Sequence, residues 1–359
     1  MSDTVQIYSN RDSSGTERSA YGIGKVARAL WLLVALSFPG LLAAPQAVAE
    51  KQAFPTKPLT IVVPYGKGGG SHQFASAMAR AFKRGVGKRV KIVNLPGASG
   101  AEGYISYLSD PHDGYTILQE VDFLASRYAA GEVSINPAGV LRPILIGQIT
   151  FSQLYIRTLD SRFRDWDSLL DYARAADQPL RVANVGSRRS MERINMTLME
   201  RELDIRFENE TYDRPSERYQ ALINGDVDLL FEQPGDVIPF LRRQLIKPVI
   251  TFSDEPLTFD NPKDAQLLGD APLLPEAGLV FEPLLRYRGL FVHADIPPER
   301  FTFLADAFAK AWKAPSFQRF NRERLMHLVD SYQGPQQARE SLVRSISVYS
   351  REMSRLGLD

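Results

Sequence analysis

The sequence predicts an α/β protein of two domains, with the chain crossing between them twice. Its 359 residues exceed the roughly 250–300 at which a single core stops growing. Short β-branched runs alternate with segments of helical apolar spacing, the pattern of βαβ units and mainly parallel sheets. Midway, after a run of strand character, that alternation starts afresh, and a Pro-rich passage later returns the chain to strand character. One domain is therefore expected at 50–152 plus 285–359, and a second at 153–284.

In order, LTIVV (59–63), VKIV (90–93), YTIL (115–118) and PILIG (143–147) read as buried strands of the first domain, and residues 74–82 as its first helix. The second series holds the strand LYIRT, a helix opening at Asp165 with apolar positions over 169–175, and the strand RVANVG. A loop at 187–190 then enters a helix over 191–203. Residues 205–208, a helix over 218–223, and the strands GDVDLLFEQP and KPVITF follow. After the Pro-rich surface passage, RGLFVHA returns to the first domain. Pro297-Pro298 opens a helix through Phe301, Leu304, Phe308 and Trp312, and Ser316 is the expected cap of a helix over 317–326. Gly334-Pro335 opens the last helix, with Leu342, Ile346, Tyr349 and Met353 on one face as packing positions.

Composition narrows the function. Hydrophobic residues at 44% and charged residues at 24% are ordinary globular values. A net charge of +1 gives no sign of nucleic-acid binding. The absence of cysteine removes disulfides, thiolate nucleophiles and a lipoprotein anchor, and fits an oxidising compartment. Lys25 and Arg28 precede an apolar run over 29–44, and Ala47-Val48-Ala49 supplies a small-x-small cleavage pattern, so a signal peptide over 1–49 is expected. Residues 1–24 are long and polar for the front of a signal and point to a start downstream of Met1. Removing 1–49 takes away four of 43 basic and three of 42 acidic residues, leaving 39 of each. An anionic ligand must then be held by local dipoles rather than by a global field.

Two strand–glycine-turn–helix units over 59–115 supply such dipoles, because each aims backbone N–H groups from a helix start at one spot. The first turn, Gly66-x-Gly68-Gly69-Gly70, lacks the Lys-Ser/Thr of a phosphate loop, since Ser71-His72 follow it. Asn94 stands where a dinucleotide site wants an acid at the end of the second strand. The second turn, Gly97-Ala98-Ser99-Gly100-Ala101, misses a nucleophile elbow at its last glycine; a hydrolase using Ser99 with His293 or His327 downstream is the enzymatic alternative. His72, His112, His293 and His327 show no metal-site spacing, so neither metal nor cofactor is expected.

The pieces FPTKPLTIVVPYGKGGGSH, VKIVNLPGASGAEG, DPHDGYTIL, GDVDLLFEQP, RGLFVHADIPPE and the terminal SRLGL occur in an order that resembles the extracytoplasmic solute-binding receptors of tripartite tricarboxylate transporters, the Bug or TctC type, over 55–358. The resemblance implies a two-domain periplasmic-binding-protein clamshell on two hinge strands, a monomer that binds a small carboxylate between its domains and hands it to membrane permease subunits, without catalysis. A sensory protein passing its closed form to a membrane kinase is the related alternative.

The resemblance also assigns roles. Tyr65, Gly68, Gly69, Gly70, Ser71 and His72 match the first carboxylate-holding loop. Pro96, Gly97, Ala98, Ser99 and Gly100 match the second, which works through backbone N–H groups and ordered water. Ser187, Arg188, Arg189 and Ser190 stand at the loop opening the ligand-facing helix, and Gln233 at a strand end lining the cleft. Two departures matter: His72 stands where many relatives carry aspartate, and Arg188-Arg189 is more basic than the usual small, Ser-rich loop. An arginine fork can hold a carboxylate bidentately. A dicarboxylate bridging the two domains, one end on the glycine turns and the other on Arg188 or Arg189, is therefore expected.

Overall fold

A computed structural model describes residues 53–259 and 261–358; the expected signal peptide lies outside them. The first half of the chain runs β1 (Leu59–Val63), α1 (Gly70–Val86), β2 (Val90–Asn94), α2 (Ala101–Leu108), β3 (Thr116–Val121), α3 (Phe123–Ala129), α4 (Pro137–Val140) and β4 (Leu141–Thr150). It continues through β5 (Ser152–Arg157), α5 (Trp166–Ala175), β6 (Leu180–Asn184), α6 (Met191–Leu203), β7 (Phe207–Thr211), α7 (Pro215–Asn224), β8 (Leu229–Glu232), α8 (Pro234–Arg242) and β9 (Ile246–Phe252). Then come α9 (Pro262–Leu268), β10 (Arg286–His293), α10 (Pro298–Lys313), α11 (Pro315–Glu323) and α12 (Pro335–Leu356).

The strands form two five-stranded sheets, ordered β2-β1-β3-β10-β4 and β7-β6-β8-β5-β9. We refer to the layers built on them as the first and second lobes. The sheets are mixed rather than mainly parallel. β1 is parallel to β2 and β3, and β6 to β7 and β8, whereas β10 runs against β3 and β4, and β5 against β8 and β9. A parallel neighbour needs a crossover of a dozen or more residues. Only Phe151 separates β4 from β5, so β5 enters the second sheet by direct extension out of the first. β10 makes the return.

In the first lobe, α1 turns Phe74, Ala75, Met78 and Phe82 onto Leu59, Ile61 and Phe308. Burying each of those aromatics contributes about 1.5–3 kcal/mol. The Trp312 indole donates to the Gly147 carbonyl on β4 at 2.8 Å, which ties α10 to the strand leading into the crossing. The second lobe buries Leu169, Val182, Ile194 and Leu198 on one side of its sheet, and Tyr155, Leu222, Leu230 and Val237 on the other. Asp165 caps α5 in a capping box with Ser168, as its position predicts. α11 begins at Pro315 with Ala314 as its cap, two residues ahead of the expected Ser316, because proline is preorganised for the first helical position. The Ser316 hydroxyl accepts from Arg84 instead.

Candidate ligand-binding site

Strands β1, β2, β3, β6 and β8 all deliver their carboxyl ends to one region, where ligands of open α/β sheets bind. A cavity of about 80 Å³ lies there between the lobes. Its first-lobe wall is Pro64, Tyr65, Gly66, Gly69, Gly70 and Ser71 after β1; Pro96, Gly97, Ser99 and Gly100 after β2; and Val121 and Phe123 around the end of β3. The second lobe supplies Val185 after β6, Asp213, Pro215 and Arg218 around the start of α7, and Glu232, Gln233 and Asp236 at the start of α8. β10 adds Arg286 and Arg288. The space would hold several waters or one small organic molecule.

The two glycine turns present donors by different means. α1 starts at Gly70 with no side-chain cap and no acid in its first turn. The amides of that turn have no intrahelical acceptor and carry the positive end of a 17-residue helix. After β2 the backbone takes four positive φ values in succession, 149° at Gly97, 45° at Ala98, 52° at Ser99 and 95° at Gly100. The left-handed conformation costs a side-chain-bearing residue roughly 1–2 kcal/mol, so Ala98 and Ser99 must be held there. Buried Arg127 does the holding: one guanidinium nitrogen donates to the Ser99 carbonyl at 2.7 Å, and another pairs with Glu120. Glu120 in turn accepts the Tyr65 hydroxyl at 2.5 Å. Burial, and then the Glu120 charge, push the Tyr65 phenol well above its ordinary range. At Gly97 the φ of 149° itself calls for glycine, since the Glu102 carboxylate that a Cβ would meet at 2.2 Å belongs to an exposed side chain free to move.

β10 closes the floor. Arg286 donates to Asp122 of the first lobe at 2.6 Å and also pairs with Glu192 on α6 of the second lobe. Arg288 reaches Asp236 on α8 at 2.6 Å and Gln233 at 3.4 Å. Arg218 pairs with Glu232 and donates to the Tyr212 carbonyl at 3.1 Å. All of these side chains are buried. Burial raises the pKa of Asp122, Glu192 and Asp236. Burial acts most strongly on Glu232 too, but the adjacent Arg218 charge together with hydrogen bonds from Arg218, the Gln233 amide and Tyr219 outweighs it and holds that carboxyl below its usual range. The lobes touch directly as well: a Cβ on Gly70 would lie 2.1 Å from Arg288 Nη2 and 2.3 Å from Asp236 Oδ2, and one on Gly186 would lie 2.6 Å from the Phe123 ring.

Of the residues singled out in the sequence, Tyr65, Gly69, Gly70, Ser71, Pro96, Gly97, Ser99, Gly100 and Gln233 line this cavity, while Gly68 and Ala98 sit in the turns without lining it. His72 turns aside, its Nδ1 lying 2.8 Å from Asn94 Oδ1, and Asn94 also donates to the Tyr65 carbonyl at 2.8 Å. The loop 187–190 departs most. Gly186 at φ 89° swings the chain away once Val185 has lined the cleft. Ser187 then donates to Glu132 at 2.9 Å, Arg188 is exposed, and Arg189 donates to the Leu358 and Ala130 carbonyls. Ser187, Arg188 and Arg189 line a separate groove with Glu132, Gly357 and Leu358, and buried Ser190 caps α6. The bridging cation expected from that loop is thus outside the cavity. Its lining arginines are Arg218, Arg286 and Arg288, which sequence reasoning did not single out.

The serine-hydrolase alternative meets an equally specific geometry. His293 sits at the opposite end of β10 from Arg286, paired in register with Leu141 and stacked on His112 with ring centroids 3.6 Å apart. His327 faces Asp264 at 3.4 Å.

No protein-family model matches the chain. In sequence it is similar to a UPF0065 protein in the gbd 5′ region of Cupriavidus necator, 25% identical over 279 residues, which cover 77% of this chain and 81% of that one. It is also similar to a UPF0065 protein in the tcbD-tcbE intergenic region of Pseudomonas sp. strain P51, 28% identical over half of this chain; the match spans 53%, about half, of that relative's length. In fold it is similar to MatC from Rhodopseudomonas palustris with bound malate, at a TM-score of 0.71, 21% identity and coverage of 83% of this chain and 99% of that one. The R. palustris protein Rpa4515 with adipate gives 0.75, 19%, 85% and 98%. The periplasmic binding protein BugD gives 0.73, 18%, 85% and 99%. The fold is that of a two-domain α/β periplasmic binding protein.

Proposed function

We propose that this chain is an extracytoplasmic solute-binding receptor that captures a small carboxylate between its two lobes and delivers it to the permease subunits of a tripartite tricarboxylate-type transporter. The observation that carries this reading is the convergence of two donor turns, the uncapped start of α1 and the left-handed turn 97–100, on one interlobe cavity. Oriented backbone amides at a helix start suit a carboxylate. Arg127, pinned to the Ser99 carbonyl, keeps the second turn in the strained geometry it needs before a ligand arrives. Malate and adipate in the solved neighbours support the same ligand class, and the periplasmic binding protein BugD among them supports the receptor role.

On this reading the lobes are 50–152 plus 285–359 and 153–284, the chain is exported with cleavage near Ala49, and the working form is a periplasmic monomer. The ligand-holding groups are the turns at 65–71 and 96–100 with Gln233. Binding selects the closed arrangement because only that arrangement presents donors from both lobes. A thermal-shift screen of the mature chain against carboxylates tests the proposal, since a ligand that binds only the folded state raises its stability. A rise of the melting temperature with carboxylate concentration is expected, and no rise with any of them would refute it.

A further inference from the structure

The charges around the cavity are already matched within the protein, and that narrows the ligand. Arg218, Arg286 and Arg288 are the cations among its lining residues, and each is at most 4% exposed. Each is held by an acid of the chain: Arg218 by Glu232, Arg286 by Asp122 and Glu192, Arg288 by Asp236. Four buried carboxyls thus face three guanidiniums, and Asp213 adds a further acid at the exposed margin. Arg188 and Arg189 lie in another groove. The remaining lining combines the glycine turns with apolar side chains, Pro64, Pro96, Val121, Phe123, Val185 and Pro215.

We infer that the cleft takes a carboxylate with a single negative charge on a short apolar body, and that it discriminates against dicarboxylates. The inference rests on the receptor reading above and goes beyond it. One carboxylate has a place, on the amides of the two glycine turns. A second would be buried against apolar walls or beside Glu232 and Asp236, with no uncommitted cation to offset its desolvation. An apolar body gains from leaving water for the Val121, Phe123 and Pro215 surface. The small volume of the cavity favours a short chain or a single ring.

The test is calorimetric titration of the mature wild-type chain with three ligands of matched length, pentanoate, glutarate and glutarate monoamide, and with benzoate. Pentanoate or benzoate binding at least ~tenfold more tightly than glutarate is the expected result, a ratio typical of one unfavourable contact. The monoamide, which has the size of glutarate and one charge fewer, should also bind more tightly than glutarate. Glutarate binding as well as or better than pentanoate and benzoate would overturn the inference and leave the receptor reading intact. Silence from every carboxylate would overturn the receptor reading itself. Asp236→Asn and Glu232→Gln each release a guanidinium, so either variant, once shown to be folded by circular dichroism, should shift the preference toward glutarate by roughly tenfold. An unchanged preference in a folded variant overturns the charge argument, and the wild-type comparison decides the matter should neither variant fold.

Discussion

Gly70 shows how much a single missing methyl can control. Its Cα rests on the Arg288–Asp236 pair, with no room for a Cβ against either partner. The pair is buried and is part of the lobe contact, so it cannot swing aside as an exposed side chain would. Gly70→Ala should therefore force the lobes apart, weakening carboxylate affinity at least ~tenfold while melting stays within about 1–2 kcal/mol of wild type. Calorimetry and thermal melting read the two effects separately, and unaltered affinity would contradict the close approach. Tyr65 makes a second residue-level test. Its hydroxyl donates to buried Glu120 at 2.5 Å, so Tyr65→Phe should cost about 1.5–3 kcal/mol, as expected for a hydrogen bond to a charged group, measured by denaturant unfolding.

Strand β10 joins two chemistries at its opposite ends. Arg286 and Arg288 hold the lobes together at one end, and at the other the buried His293 ring is sandwiched by Tyr107 and His112, while His112 pairs with Asp295 at 2.5 Å. Burial, and then the adjacent His112, lower the His293 pKa. A histidine whose folded pKa is depressed binds fewer protons folded than unfolded, so its stabilising contribution is present above the unfolded value near 6.5 and is lost as pH falls through the folded value. Acidification from pH 7.5 to 5 should lower the wild-type melting temperature by about 2–4 °C per kcal/mol lost, and His293→Phe should show a smaller drop over the same window. Equal slopes would show that the titration lies elsewhere. The strand itself was legible in RGLFVHA, but its arginines were not. Their partners lie 164, 94 and 52 residues away in the chain, and no local pattern marks a residue as one side of so distant a pair. The glycine turns were legible because strand, turn and helix start are contiguous. Arg188-Arg189 misled because one left-handed residue, Gly186, decides which way the loop faces.

At the scale of the molecule, the Arg286–Glu192 and Arg288–Asp236 pairs hold the lobes together from within, apart from any ligand. Breaking one should shift the balance toward an open form. Glu192→Ala removes the second-lobe partner of Arg286 but leaves that arginine its Asp122 contact. Solution scattering of the chain without residues 1–49, in the absence of carboxylate, should then give a radius of gyration above the about 19–20 Å expected of a compact chain of that length, and wild type should remain near that figure. Identical curves would mean that other contacts keep the lobes shut. Two lobes were legible because strand and helix patterns restart after PILIGQ; the mixed strand directions were not, since they follow from a one-residue link between sheets. The indole bond from Trp312 to Gly147 has a spectroscopic consequence. Trp166 and Trp312 are the tryptophans among the described residues, and neither lines the cavity. Emission changes on adding carboxylate would therefore not arise from ligand contact. In a Trp166→Phe chain they would report strain in β4, where Trp312 grips the strand four residues before the chain passes from one sheet to the other.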